Sequence, residues 1–317
     1  MLAKDIIRRV REIQVRTGRQ VADVLAGEYT SVFKGRGIEF DEVRPYVPGD
    51  DVRSIDWNVT ARMGSPFVKR YVEERQLTLM LLADVSASQD FGSATRSKRE
   101  ATAELCALLA FSANLNDDKV GLTLFHGSVE QYIPPRKGQR HCQRVVREVL
   151  AHGSLEGRVP EPNRRWLRFP FRQRTLRSGR EATNLKRGVE FLLKVMKRRA
   201  IIFVVSDFFD DGYLEALQTA NRKHDVVAVL VSDPREHELP DLGLVTLRDA
   251  ETGVRTNVDM GHGALRRAFA ARAAERAASL ERQLRAVKVD FIHIDSTRSV
   301  VDPLVKFFRM RERRQRR

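Results

Sequence analysis

The sequence predicts an α/β fold: a mainly parallel sheet with helices on both faces, preceded by a small β-rich block. Three observations carry this. Continuous apolar runs at 77–83, 200–206 and 226–232 have strand length and no polar alternation, as strands buried on both faces do. Stretches with apolar residues at helical spacing separate them, such as Leu185, Val189, Leu192, Leu193 and Met196. At 317 residues and 42% hydrophobic, the chain suffices for one large α/β domain with additions.

Residues 4–26 read as a helix, with Ile6, Ile7, Val10, Ile13, Val21, Val24 and Leu25 on a stripe interrupted at Gly18. Residues 33–76 are rich in turn signals, with an extended piece at 67–72. Phe40, Val43, Tyr46, Val47, Ile55 and Trp57 are expected to be buried there, which makes the block a folded lead-in. After the strand at 77–83, residues 97–115 read as a helix with Ala101, Leu105, Leu108, Leu109 and Ser112 on one face. Strands at 120–125 and 129–133 meet at a turn on Gly127, and 139–151 is helical. An Arg-rich loop spans 158–180. A helix from Leu185, the strand at 200–206, a short helix at 212–223 and the strand at 226–232 follow. Residues 244–259 read as a hairpin around Glu251-Thr252-Gly253. A helix at 264–286, a strand at 289–294 and a helix at 303–310 complete the pattern. The expected organisation is a lead-in over 1–76, a main domain over 77–310 and a basic tail over 311–317. No internal repeat is visible.

The net charge is +15, and it is localised. Residues 158–180 hold eight arginines against Glu161, and 309–317 hold six against Glu312. The plainer reading of both segments is a solvated surface. The other is an anion or nucleic-acid site using Arg164, Arg165, Arg168, Arg172 and Arg174, with Trp166, Phe169 and Phe171 interleaved for stacking. Cys106 and Cys142 stand in no CxxC pattern and are expected as reduced, buried thiols. No apolar run reaches the roughly 18 residues of a membrane span. A cytoplasmic protein is expected.

The run Asp84-Val85-Ser86-Ala87-Ser88 directly follows the first buried strand. In open α/β sheets, ligands bind beyond the carboxyl ends of the strands. Two further loops therefore matter: 178–184, with Thr183, and 206–211, with Asp207. Together they offer one carboxylate and two hydroxyls, then a hydroxyl, then a carboxylate. Hard oxygen donors of this kind suit magnesium or manganese. The plainer alternatives are that Ser86 and Ser88 cap the next helix and that Thr183 is an N-cap.

This ordered set resembles the metal-ion-dependent adhesion site of von Willebrand factor type A domains. The resemblance covers roughly 77–310. It implies that Ser86, Ser88 and Thr183 face the metal, with Asp84 and Asp207 close by or bridged through water. Ahead of it, Gly35-x-Gly37-x-Glu39-Phe40, Arg44-x-Tyr46, Gly49-Asp50-Asp51-x-Arg53-x-Ile55-Asp56-Trp57, Val68-Lys69 and Glu74 are similar to the block preceding that domain in the family known as domain of unknown function fifty-eight. That resemblance implies partnership with a MoxR-type AAA+ ATPase in the assembly or maturation of protein complexes. Two departures stand out. Glu181-Ala182 precede Thr183 where a glycine pair is usual, and Phe208 follows Asp207 where many relatives place glycine.

Enzyme classes find little support. Ser86 occupies the place where an Asp-x-Asp phosphatase needs its second carboxylate. No Gly-x-Ser-x-Gly elbow and no phosphate-cradling Lys-Ser/Thr loop appear. His237-Glu238 lacks the second histidine of a zinc protease helix. Asp50, Asp51 and Asp56 are expected to be structural, pairing with Arg44 or Arg53 and closing turns. The expectation is a binding module that needs a divalent ion, whose partner supplies an acidic side chain.

Overall fold

The lead-in is a two-stranded antiparallel ribbon of β1 (Ile38–Pro45) and β2 (Phe67–Glu73), with a short helix α1 (Trp57–Met63) between them. The computed structural model describes residues 8, 12–13, 38–73, 76–94, 96–152, 183–248 and 254–315. The acidic residues of this block are structural, as expected. Asp50 forms a bidentate pair with Arg44 at 2.8 and 2.7 Å, Asp51 caps the turn Val52–Ser54, and Asp56 caps α1 and pairs with Lys69. The expected burial of the block's apolar residues is corrected in part. Val43, Tyr46 and Ile55 are half-buried, but Trp57 is 70% exposed and Val47 55% exposed. A two-stranded ribbon with one short helix has no second layer to cover such side chains. Of the helix expected over 4–26, Arg8, Glu12 and Ile13 are described; they are helical, and Ile13 is buried in the core.

The main sheet has six strands: β3 (Thr78–Asp84), β4 (Lys119–Phe125), β5 (Val129–Arg136), β6 (Ile201–Ser206), β7 (Asp225–Ser232) and β10 (Asp290–Asp295). Their spatial order is β10-β7-β6-β3-β4-β5, and every pair is parallel except β4–β5. A separate antiparallel pair, β8 (Leu244–Arg248) and β9 (Arg255–Asp259), matches the expected hairpin, whose turn at 251–253 lies outside the described residues.

Alternate residues of β3 enter different cores, because successive strand side chains point to opposite faces. Leu79, Leu81 and Ala83 pack with α2 (Lys98–Leu115), α3 (Gln139–His152) and α7 (Val301–Gln315). Met80 and Leu82 pack with α4 (Leu185–Val195), α5 (Leu214–Lys223) and α6 (Gly263–Ala286). Gly188 lets α4 approach closely: a Cβ there would sit 3.2 Å from Leu82 and 3.3 Å from Phe125. Helices on both faces leave β3 and β6 no polar surface, which is why their sequences read as unbroken apolar runs. Cys106 and Cys142 are buried and unpaired, and burial pushes their thiols up to about 12 and about 11.

The last helix differs from expectation. It runs on to Gln315 instead of ending near Met310, because Arg311 and Arg314 bond back to Asp225 and Asp290. Much of the segment read as a basic tail is thus anchored structure.

β3 sits between β4 and β6. The chain leaves β3 toward β4 on one side and later returns to β6 on the other. The carboxyl ends of β3 and β6 form the switch point of the sheet, the place where open α/β sheets bind ligands.

Candidate metal centre

Asp84 ends β3, and both its oxygens are engaged. Oδ1 accepts the Ser86 backbone N–H at 2.8 Å, and Oδ2 accepts the Ser206 hydroxyl at 2.8 Å. Ser86 leads a short turn, Ala87–Asp90, without capping it through its side chain. Its hydroxyl instead meets the Ser88 hydroxyl at 2.9 Å. Ser88 in turn donates to Asp207 Oδ2 at 2.7 Å. Two hydroxyls and a carboxylate from two strand ends thus form one contiguous oxygen chain, with the Asp84 carboxylate directly behind it.

Thr183 lies in the loop entering α4 and is half-buried. It is not the N-cap of α4: Asn184 is, accepting from the Arg187 N–H at 3.0 Å. The loop is tied to the 206–211 loop through the Leu185 N–H, which donates to Asp210 at 2.7 Å. The start of α4 thus meets the 206–211 loop, and Ser88 joins that loop to the 84–88 turn, while residues 178–182 lie outside the described residues. Phe208, the residue replacing glycine, has a left-handed backbone with φ of 52°. That conformation costs a non-glycine residue roughly 1–2 kcal/mol, and the buried Phe208 ring, packed 5.5 Å from Tyr213, offsets it.

Three charged residues complete the site, and the sequence reading did not include them. Lys98, fully buried at the start of α2, places its ammonium 2.9 Å from Asp207 Oδ2 and 2.6 Å from Glu236. Arg276, on α6, donates to the Asp207 carbonyl at 2.6 Å and stacks 3.3 Å from the centre of the Phe209 ring. That ring is 59% exposed beside the site. Arg99 grips Asp90 and reaches the carbonyls of Val85 and Ser86, which fixes the 84–88 turn. The one local signal was Lys98-Arg99 directly after the helix cap Ser97, since cations there oppose the helix dipole.

The electrostatics follow from burial. Burial first, then the Asp207 charge, pushes the Asp84 carboxyl up to about 6, against the hydrogen bonds from Ser86 and Ser206. Burial works to lower Lys98, but Asp207 and Glu236 outweigh it and hold the ammonium above its ordinary value. An ion pair at 2.9 Å gains about 6 kcal/mol at an effective dielectric near 20, comparable to the several kcal/mol lost on desolvating each ion. Lys98 thus offsets one negative charge of the cluster formed by Asp84, Asp207 and Glu236. Arg276, on the Asp207 carbonyl, offsets a second, so a net charge of about −1 remains on hard oxygens, and that donor set fits a divalent magnesium or manganese ion.

The arginines read as a possible anion site, Arg164, Arg165, Arg168, Arg172 and Arg174, lie outside the described residues, as does the whole loop 158–180. No helix among the described residues is long and apolar enough to cross a membrane.

Comparison with known proteins shows what the chain is similar to. The family described as "Protein of unknown function DUF58" matches residues 42–279. An uncharacterized protein of Mycobacterium tuberculosis is 30% identical over 305 residues, covering 96% of this chain and 89% of that protein. An uncharacterized protein of Mycobacterium avium is 32% identical over 131 residues, 41% of this chain and 77% of that protein. Among solved structures, the conserved hypothetical protein BatB from Bacteroides thetaiotaomicron aligns over 75% of this chain and 99% of its own, at 16% identity and a TM-score of 0.41. The SpRpn10 VWA domain aligns over 72% of this chain and 94% of its own, at 11% identity and a TM-score of 0.35.

Proposed function

The chain belongs to the DUF58 family, and on that premise we propose that it is a binding module whose divalent ion receives an acidic side chain of a protein partner. The carrying observation is the Ser86–Ser88–Asp207 oxygen chain: the Ser86 hydroxyl is not spent on capping the turn it leads. Asp84, Ser86, Ser88, Thr183 and Asp207 would hold magnesium or manganese. The three hydroxyls bring no charge, so about one positive charge of the ion is left for a carboxylate from outside, which completes its shell. Phe209 and Arg276 at the rim favour a partner whose acidic residue is flanked by an apolar one.

The family resemblance supplies the partner class: a MoxR-type AAA+ ATPase, or a client protein brought to it during complex assembly or maturation. Binding is favoured over catalysis by the state of the hydroxyls. Ser88 donates to a carboxylate oxygen that also accepts the Lys98 ammonium, and an oxygen so engaged is a weak general base.

The test is capture of a purified MoxR-type ATPase by the immobilised chain, with magnesium and with chelator, for the wild type and for Asp84→Ala. Capture is expected for the wild type in magnesium alone. Equal capture in all four conditions would overturn the proposal.

A further inference from the structure

Lys98 is the first residue of α2, and its side chain has no solvent exposure. Its position at a helix amino terminus is unfavourable for a cation, and so is its burial. Both are sustained by two carboxylates that lie far away in sequence. Asp207 Oδ2 accepts the ammonium at 2.9 Å and also accepts the Ser88 hydroxyl at 2.7 Å. A single oxygen therefore belongs both to the metal-donor chain and to the lysine. Glu236 divides its two oxygens differently. Oε1 holds Lys98 at 2.6 Å, while Oε2 accepts the Asp233 backbone N–H at 3.1 Å within a capping box. Glu236 is thereby fixed in place independently of Asp207.

We propose that Lys98 is a resident competitor for the divalent ion. Without the ion, the ammonium shares Asp207 and Glu236. When the ion takes Asp207 Oδ2, the two cations repel, and Lys98 is handed over to Glu236, which is already oriented to keep it. Affinity for the ion is then set by the contest for one oxygen, and Glu236 is the residue that tunes it. This inference rests on the metal-binding reading of the same site.

The experiment measures manganese affinity of the full chain by titration calorimetry, in a double-mutant cycle. Lys98→Met is expected to bind manganese at least tenfold more tightly than the wild type. Glu236→Gln leaves Asp207 as the only carboxylate on the ammonium and is expected to bind at least tenfold more weakly. In the double variant, the Glu236→Gln effect should largely vanish, because it acts through Lys98. Strictly additive effects would mean that the two residues act only as independent charges, which overturns the handover. Equal manganese affinity in the wild type and both single variants overturns the competition and leaves the metal site standing. No manganese binding by any of them overturns both readings. Should Lys98→Met fail to fold, Glu236→Gln decides alone, and unchanged or tighter binding by it overturns the proposal.

Discussion

At the amino ends of β7 and β10, Arg311 contacts Asp225 at 2.7 Å and Asp290 at 3.2 Å, and Arg314 reaches Asp290 at 2.9 Å. Two guanidinium groups meet two carboxylates, and the cluster is neutral. At the carboxyl ends of β3 and β6, Asp207 and Glu236 share the ammonium of Lys98, Arg276 lies on the Asp207 carbonyl, and Asp84 accepts from Ser86 and Ser206 instead. Both clusters hold buried charge, and both tie together elements distant in sequence. The difference lies in what is left over. The first cluster is balanced in charge and works as a clamp. The second retains about one negative charge on hard oxygens and has room in its chemistry for a cation. Buried charge alone does not single out a candidate site; buried charge left uncompensated by the protein does.

The contrast breaks most visibly at the clamp. Arg311→Met leaves Asp225 and Asp290 facing each other with one exposed guanidinium nearby. A loss of roughly 3–5 kcal/mol is expected, as for removal of one partner from a buried pair. Chemical denaturation checks this, and manganese affinity should be unchanged. A smaller effect arises beside the clamp, at His224. The residue is 1% exposed, and neither ring nitrogen meets a hydrogen-bond partner among the described residues. Burial, then the charges of Lys223 and Arg199, pushes it down to about 4. The unfolded chain takes up that proton near 6.5. Its contribution is therefore fully present above that pH and is lost as pH falls toward 4, by about 2–3 kcal/mol. Denaturation of the wild type and His224→Gln at pH 7 and pH 4.5 should show a smaller acid loss in the variant.

The same contrast explains what could be read in the sequence. β3, β6 and β7 were legible because burial on both faces imposes unbroken apolar runs. Asp84, Ser86, Ser88 and Asp207 were legible because strand ends at a switch point are where ligands collect. Lys98 was not. Its position reads as a solvated helix start, and its partners come from 109 and 138 residues away. Arg311 was misread as part of a basic tail for the same reason, since Asp225 is 86 residues distant. Trp57 and Val47 erred in the other direction. Their apolar character is local, but the layer that would cover them is not part of a two-stranded ribbon.

The smallest expected effect is the one that separates the two ends by sign. Asp84→Asn removes the surplus charge while keeping the shape that meets Ser86 and Ser206. The Asp84 carboxyl sits at about 6 in the fold, above its usual value near 4, chiefly through burial. Holding it ionised at pH 7 therefore opposes folding, and this cost grows as pH rises from about 4 through about 6. An amide has no such cost but forms weaker hydrogen bonds, so a net gain of roughly 1–2 kcal/mol is expected in chelator at pH 7. The gain should fade toward pH 4, and manganese binding should be lost. Denaturation in chelator at the two pH values provides the measurement. A neutral substitution that stabilises this end while Arg311→Met destabilises the other fits a site whose surplus charge is kept for a ligand. Destabilisation by Asp84→Asn in chelator would instead mean that the carboxylate is as well compensated as those of the clamp.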